Sequence, residues 1–337
     1  MIIESKAPTR VDFAGSTLDI WPLYLFHPGA VTLNAAISLY ASCSIETLPA
    51  GDNRIKLLSL DIKREESFAS FSALVQAKRY RLPLLAEITK FFHPQGGFTL
   101  TTDSEAPAGA GIGGSSAMAV AICAALDRFT GAGKSKVDWI HISRDAEAIV
   151  INVPTGTQDH YPPAFGGAAA VELPPGGEHR VELRVNLDEL ERRVMVCYTG
   201  KPLKHGINNW EVFKAHVNGD KHVFRNLEKI AAIARDMHQA LLRHDWQDVA
   251  HLLREEWKLR RTNAPGITTP LIDKLISVAG KNGGRAAKVC GAGGGGCILM
   301  MVEEGAKEAV AQAVAQAGGQ ILPLRVARDG LRVETQA

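Results

Sequence analysis

The sequence has no dominant charge: 38 Lys and Arg stand against 36 Asp and Glu in 337 residues, a formal excess of +2. Without a basic stripe or tail, it gives no support to a nucleic-acid binder. Cysteine is scarce and scattered. The five residues Cys43, Cys123, Cys197, Cys290 and Cys297 are odd in number and never form a C-x-x-C pair. That pattern argues against a disulfide framework or a zinc site and implies buried, reduced thiols. No apolar run reaches about 18 residues, so no membrane span is expected, and Glu4, Lys6 and Arg10 stand where a signal peptide needs an apolar stretch. These absences leave a cytoplasmic protein, monomeric or homodimeric, as the expectation. Fixed-period repeats and low-complexity tails are missing too.

Glycine is what the chain has in excess. There are 32, where about 24 would be usual for the length. Nine fall in two windows, Gly109 to Gly114 and Gly291 to Gly296. Because glycine gives up backbone entropy and packs no side chain, such clusters mark places where backbone approaches something closely.

Strand-like runs dominate the first hundred residues, at Arg10 to Phe13, Ala30 to Glu46, Asn53 to Ser59 and Gly97 to Thr102, with one helix from about Ser70 to Phe92. The first glycine cluster then leads into an alanine-rich helix from Ser115, ended by Gly131, and a second helix runs from about Lys136 to Ile149. Further strands are expected at Ala168 to Leu173, Val181 to Val185 and Val194 to Thr199. From Asn208 the pattern is helical up to about Arg261 and again over Pro270 to Ala279. Strands at Ala286 to Cys290 and Cys297 to Val302 flank the second glycine cluster, followed by a helix over Gly305 to Ala317 and a strand over Gln320 to Ala327. The composition shift near Gly200 sets a domain boundary, giving 1–200 and 201–337.

Three familiar motifs in the glycine loops fail on context. Gly109 to Gly114 satisfies G-x-G-x-x-G, but another helix follows where a Rossmann unit needs a second parallel strand ending in an acidic residue. Gly131-Ala132-Gly133-Lys134-Ser135 imitates a P-loop, yet Arg128 stands where the first glycine belongs, so the segment reads as a helix terminus. Gly113 to Ala117 imitates a nucleophile elbow, which needs one sharp turn rather than a long loop. What the first loop can do is bind an anion. Its amides can converge, and the following helix adds unpaired N–H groups and the positive end of its dipole.

Three separated segments resemble the signature motifs of the GHMP kinases (galactokinase, homoserine kinase, mevalonate kinase, phosphomevalonate kinase). They are Ala7-Pro8-Thr9-Arg10-Val11-Asp12-Phe13-Ala14-Gly15 with Asp19, Pro107 to Ala117, and Gly291-Ala292-Gly293-Gly294-Gly295-Gly296-Cys297. The second matches the phosphate loop P-x-G-x-G-[LI]-G-x-S-S-A at every fixed position. The resemblance implies an α+β, two-domain GHMP-kinase-like fold, with a ribosomal-protein-S5-domain-2-like N-terminal half, an α/β sandwich C-terminal half and the active site in the cleft between them. It also implies an ATP- and Mg2+-dependent phosphotransferase with an alcohol acceptor. ATP would lie on Pro107, Gly109, Gly111, Gly113, Gly114, Ser115, Ser116 and Ala117. Asp159 would be the catalytic base or an orienting group, with Arg10 beside it. A serine of the Ser115-Ser116 pair, Ser116 by preference, would hold the metal with Glu147. Asp19, Thr17, His160, Gly293 and Gly294 would meet the substrate; His27 and His205 are further histidines that could enter the cleft.

Gly156-Thr157-Gln158-Asp159-His160-Tyr161-Pro162-Pro163-Ala164-Phe165-Gly166-Gly167 is similar to the Q-D-x-Y-x-x-x-F-G-G segment of the heptose 7-phosphate kinase and fucokinase branch, whose members phosphorylate sugars, commonly at the anomeric hydroxyl. The opening loop Gly15 to Pro22 departs from that branch in lacking its run of glycines. A sugar or sugar phosphate is therefore the expected acceptor. The alternatives are a non-sugar alcohol such as mevalonate, or a non-catalytic sugar- or nucleotide-binding sensor on the same fold.

Overall fold

The computed structural model describes residues 1–203 and 207–336. Twelve strands among the described residues form two sheets. The first contains β1 (Ile2–Ala14), β2 (Val31–Thr47), β3 (Ile55–Ser59), β4 (Arg64–Phe68), β5 (Phe98–Ser104), β6 (Ala168–Glu172), β7 (His179–Glu182) and, from the far end of the chain, β12 (Arg332–Gln336). Its order is β12-β1-β2-β5-β3-β4, with β6 and β7 continuing from β2. Only β3 and β5 pair in parallel. The second sheet holds β8 (Val194–Tyr198), β9 (Gly284–Val289), β10 (Cys297–Val302) and β11 (Gln320–Leu322) in the order β11-β8-β10-β9.

The helices are α1 (Phe71–Gln76), α2 (Pro83–Phe92), α3 (Gly114–Thr130), α4 (Lys136–Ile151), α5 (Tyr161–Phe165), α6 (Leu187–Arg193), α7 (Ile207–Val217), α8 (Lys221–Leu242), α9 (Trp246–Arg260), α10 (Pro270–Lys281) and α11 (Lys307–Gln316). The single helix expected over 70–92 is two. Pro83 starts α2 and holds Leu82 out of the helical region at φ −124°, ψ 67°, because a proline ring crowds the residue before it. The helix terminus expected at Gly131 is present: Gly131 is left-handed, and Ser135 opens α4 with a capping box to Asp138.

Apolar burial explains the layering. Ile3, Ile45, Leu57, Leu100, Ile122 and Leu126 close one face of the first sheet under α2, α3 and α4. Ile298, Met300, Leu275 and Val310 close the second sheet under α10 and α11. A third cluster joins the halves, with Val11, Phe13 and Leu33 of the first sheet against Leu253, Met237 and Leu299 of the second half. The sheets interleave along the chain: β8 lies before residue 200 yet pairs in the second sheet, and β12 returns to pair with β1. All five cysteines are free and buried. Among the described residues no helix is long and apolar enough to cross a membrane.

Candidate active site

The pairing of β1 with β2 is irregular between Pro8 and Thr9 and again between Asp12 and Ala14. Irregularities of this kind re-aim side chains. Between them Arg10 and Asp12, two residues apart, share one face of the strand. Arg10 is 1% exposed. Its guanidinium forks onto Asp159, with Nε 2.9 Å from Oδ1 and Nη2 2.8 Å from Oδ2, while Nη1 donates to the Gly111 carbonyl at 2.8 Å. One side chain thus ties the aspartate to the first glycine loop. Burial opposes the charge on Arg10, but Asp159 and Asp12 outweigh it and hold the guanidinium protonated.

Behind Arg10 lies a buried chain of charges. Lys288 of β9 pairs with Asp12 and stands 3.6 Å from Glu256 of α9; Arg260, one turn further along α9, donates from Nε to Glu256 at 2.7 Å. Burial alone would raise the Asp12 carboxyl, yet Lys288, Arg10 and Arg260 hold it well below the usual carboxylate range. With Asp159 and Asp19 included, three cations face four carboxylates. Asp19 is the one without an ion-pair partner among the described residues. Its Oδ2 accepts the Gln158 N–H at 2.9 Å. Burial first, then the charge of Asp159, pushes its pKa from an ordinary 3.8 up to about 6. Gly156 makes the approach possible, since a Cβ there would lie 1.9 Å from Asp19 Oδ2. A buried carboxylate without a cation keeps acceptor capacity beyond its backbone hydrogen bonds, and hydroxyl groups can donate to it.

The first glycine loop alternates left-handed Gly109, Gly111 and Gly113, at φ 67°, 73° and 73°, with Ala110 and Ile112 between them. Such alternation turns successive amides toward one point. No side chain caps α3 at Gly113, so its first-turn N–H groups stay open to an acceptor. The Ala117 side chain takes no part in this, being wholly buried in the core under the first sheet. The second glycine loop lies directly against the first. Cys297 N donates to Ala110 O at 2.7 Å, and Gly296 N donates to Lys201 O at 2.8 Å. Gly291 N reaches Asp12 Oδ1 at 3.4 Å. Gly293 and Gly294, expected on the substrate side, instead pack on Ile267: Gly294 N donates to its carbonyl at 2.8 Å, and a Cβ on Gly293 would meet that oxygen at 2.5 Å.

Glu147 of α4 is buried with Ser116, whose Oγ donates to Glu147 Oε2 at 2.9 Å. Ser115 is exposed. Burial would raise the Glu147 carboxyl; His160, Ser115 and Ser116 outweigh it and lower it. Two hard oxygens side by side suit Mg2+, which takes one or two protein ligands and completes its shell with waters and phosphate oxygens. Among the described residues no group of three or more His, Cys, Asp or Glu side chains could hold an ion unaided.

Other expected ligands fall elsewhere. His160 is wholly buried with Nε2 2.7 Å from Glu147 Oε2, on the carboxylate side rather than facing Asp19. The Thr17 hydroxyl is occupied, accepting from Arg260 Nη1 at 3.1 Å and donating to Asn209 at 3.2 Å. His27 is buried against His216, ring nitrogen to ring nitrogen at 2.9 Å, beside Phe224. His205 lies outside the described residues. Sequence reasoning missed Asp12, Glu256, Arg260 and Lys288. The signals were a lone lysine inside the apolar run Ala286 to Cys290, and an acid and a base four apart on α9.

Residues 77–167 match the family model described as GHMP kinases N terminal domain, and residues 237–320 match that described as GHMP kinases C terminal. The chain is similar to the D-glycero-alpha-D-manno-heptose 7-phosphate kinase of Campylobacter jejuni, at 26% identity over 98% of each chain. It is also similar to the mevalonate kinase of Thermococcus sibiricus, at 27% identity over 99% of each chain. Among solved structures, a D-glycero-D-manno-heptose 1-phosphate kinase from Bacteriodes thetaiotaomicron superposes with a TM-score of 0.79 at 26% identity, covering 99% of each chain.

Proposed function

The chain belongs to the GHMP kinases, ATP-dependent phosphotransferases with an alcohol acceptor, and from that premise we propose that it phosphorylates a sugar or sugar phosphate of the heptose 7-phosphate kind in the cytoplasm. The observation that carries this is the Arg10 fork, which joins Asp159 and the Gly111 carbonyl in one rigid contact. ATP phosphates rest on the 107–117 loop and the open amides of α3. Ser116 and Glu147 would hold Mg2+, which would neutralise charge on the phosphates. The acceptor hydroxyl lies between Asp19 and Asp159. Asp159 accepts its hydrogen bond and takes the proton as the hydroxyl oxygen bonds to Pγ and the bond to the β–γ bridging oxygen breaks, releasing ADP. Arg10 offsets the negative charge that develops there. Asp19, lacking a cation, holds a second hydroxyl and sets the acceptor's orientation.

The mevalonate kinase relatives support a second reading, with a non-sugar alcohol as acceptor. ADP release across heptose phosphates, hexoses, 6-deoxyhexoses, uronic acids and mevalonate separates the two. Release with a sugar and not with mevalonate is expected, falling by about two or more orders of magnitude in Asp159→Asn. Wild-type turnover by a folded Asp159→Asn would refute the catalytic assignment. Nucleotide binding without ADP release from any alcohol would point to a sensor.

A further inference from the structure

We propose that Arg260 is a positioning residue for the acceptor loop: it holds Thr17 in a left-handed backbone conformation, and this pair fixes where Asp19 stands and which acceptors fit. The proposal rests on the reading of Asp19 as an acceptor ligand.

Thr17 has φ 78°, a region that a β-branched residue occupies only when its surroundings impose it. The imposing contacts come from the other half of the molecule. Arg260 is buried near the end of α9, with Nε and Nη2 on Glu256 Oε1 at 2.7 and 2.5 Å. That anchor aims Nη2 at the Ser16 carbonyl, 2.8 Å away, and Nη1 at Thr17 Oγ1, 3.1 Å away. Having accepted from Arg260, the Thr17 hydroxyl gives its own hydrogen to Asn209 Oδ1 of α7 at 3.2 Å.

Ser16 is fixed from the opposite side, its hydroxyl donating to Asp12 at 2.9 Å. Two turns follow, with Leu18 N on Gly15 O and Ile20 N on Thr17 O, both at 3.2 Å. Asp19 sits inside the second turn, and from there its carboxylate accepts the Gln158 amide hydrogen. Arg260 touches no reacting atom in this arrangement. Its effect travels through the backbone of Ser16 and Thr17.

The test uses the full chain carrying Arg260→Lys, Thr17→Ala, Thr17→Gly and the double variant Arg260→Lys/Thr17→Gly. Lysine keeps the charge opposite Glu256 but cannot bridge both loop groups. Hydrogen–deuterium exchange at the Leu18 and Ile20 amides is read without any acceptor; ADP release is read with D-glycero-D-manno-heptose 7-phosphate. Arg260→Lys should speed exchange at both amides about tenfold and raise the sugar KM about tenfold, the equivalent of one charge-assisted hydrogen bond, with the ATP KM unchanged. Glycine adopts the left-handed conformation without steric penalty, so the double variant should recover most of both losses. Thr17→Ala keeps the Cβ and loses the hydroxyl, so it should be more impaired than Thr17→Gly. Equal impairment of Thr17→Ala and Thr17→Gly, or no recovery in the double variant, would overturn the proposal. Absence of turnover by the wild type with every sugar refutes the functional reading alone, because the exchange pattern still decides this one.

Discussion

Replacing Asp19 by asparagine is expected to make the protein more stable and less active. The amide that Asp19→Asn introduces keeps a carbonyl oxygen for the Gln158 N–H and fits beside Gly156, so the packing is preserved. The charge is what changes. With a pKa moved from 3.8 to about 6, ionised Asp19 opposes folding by about 3 kcal/mol at pH 8, at about 1.4 kcal/mol per tenfold. A carboxyl raised in the folded state favours folding at low pH, where both states are protonated, and loses that advantage as pH rises through the folded value. The gain from Asp19→Asn is therefore largest above pH 7, falls to about half by pH 5 and disappears below the unfolded value. Urea denaturation of both proteins at pH 8 and pH 5, without nucleotide or acceptor, measures it. Turnover should move the other way, with the acceptor KM rising and the ATP KM held. An Asp19→Asn protein less stable than wild type at pH 8, or a stability difference independent of pH, would refute the burial argument. The sacrifice of stability for a charged ligand is a common feature of binding sites.

Gly156→Ala should press on the same carboxylate from the other side, because its Cβ would overlap Asp19 Oδ2; steady-state kinetics should show the acceptor KM up by about tenfold or more with the ATP KM unchanged. Lys288→Met should leave buried Asp12 without its hydrogen-bonded cation, while Glu256 keeps Arg260, and lower stability by about 3–5 kcal/mol, read as a lower melting temperature, with Asp12→Asn in the same chain restoring part of it. Glu147→Gln should raise the Mg2+ concentration for half-maximal activity about tenfold while sparing acceptor affinity; an unchanged Mg2+ requirement would remove Glu147 from the metal site.

Local chemistry was legible in the sequence and long-range pairing was not. The first glycine loop, the helix after it and the Arg10 and Asp159 segments each announce themselves within about ten residues, and the structure brings Arg10, Asp159 and that loop into contact. By contrast β12 pairs with β1 from the opposite end of the chain, and nothing local in Arg332–Gln336 names that partner. Short α5 carries Pro162 and Pro163, residues that suggest a loop until their place in a first turn is known. The signals for α6 were present, with Asn186 capping, acids in its first turn and Arg192 and Arg193 in its last. The buried charges were hidden for another reason: a Lys, a Glu and an Arg on separate elements look like solvated surface until the fold excludes water from them.

The two glycine clusters have one explanation. Each would have sufficed to bend a loop, yet the second does not line up beside the acceptor residues; it forms a seam with the first. A Cβ on Gly296 would lie 2.7 Å from Ala110 O, one on Gly295 2.8 Å from Pro202 O and one on Gly111 2.8 Å from Cys290 O, so three backbone segments meet where no side chain fits between them. Main-chain hydrogen bonds from Cys297 to Ala110 and from Leu203 to Gly109 lock that seam. Because Arg10 holds the Gly111 carbonyl with the same guanidinium that holds Asp159, the first glycine loop, the seam and the Asp159 carboxylate are joined by direct contacts. The acceptor loop is fastened separately, through Arg260 and Asp12. Under the proposed function, a site assembled in this way would hold the phosphate donor in line with Asp159 and leave acceptor choice to residues 15–20, the segment where the sequence departs from the sugar-kinase pattern it otherwise follows.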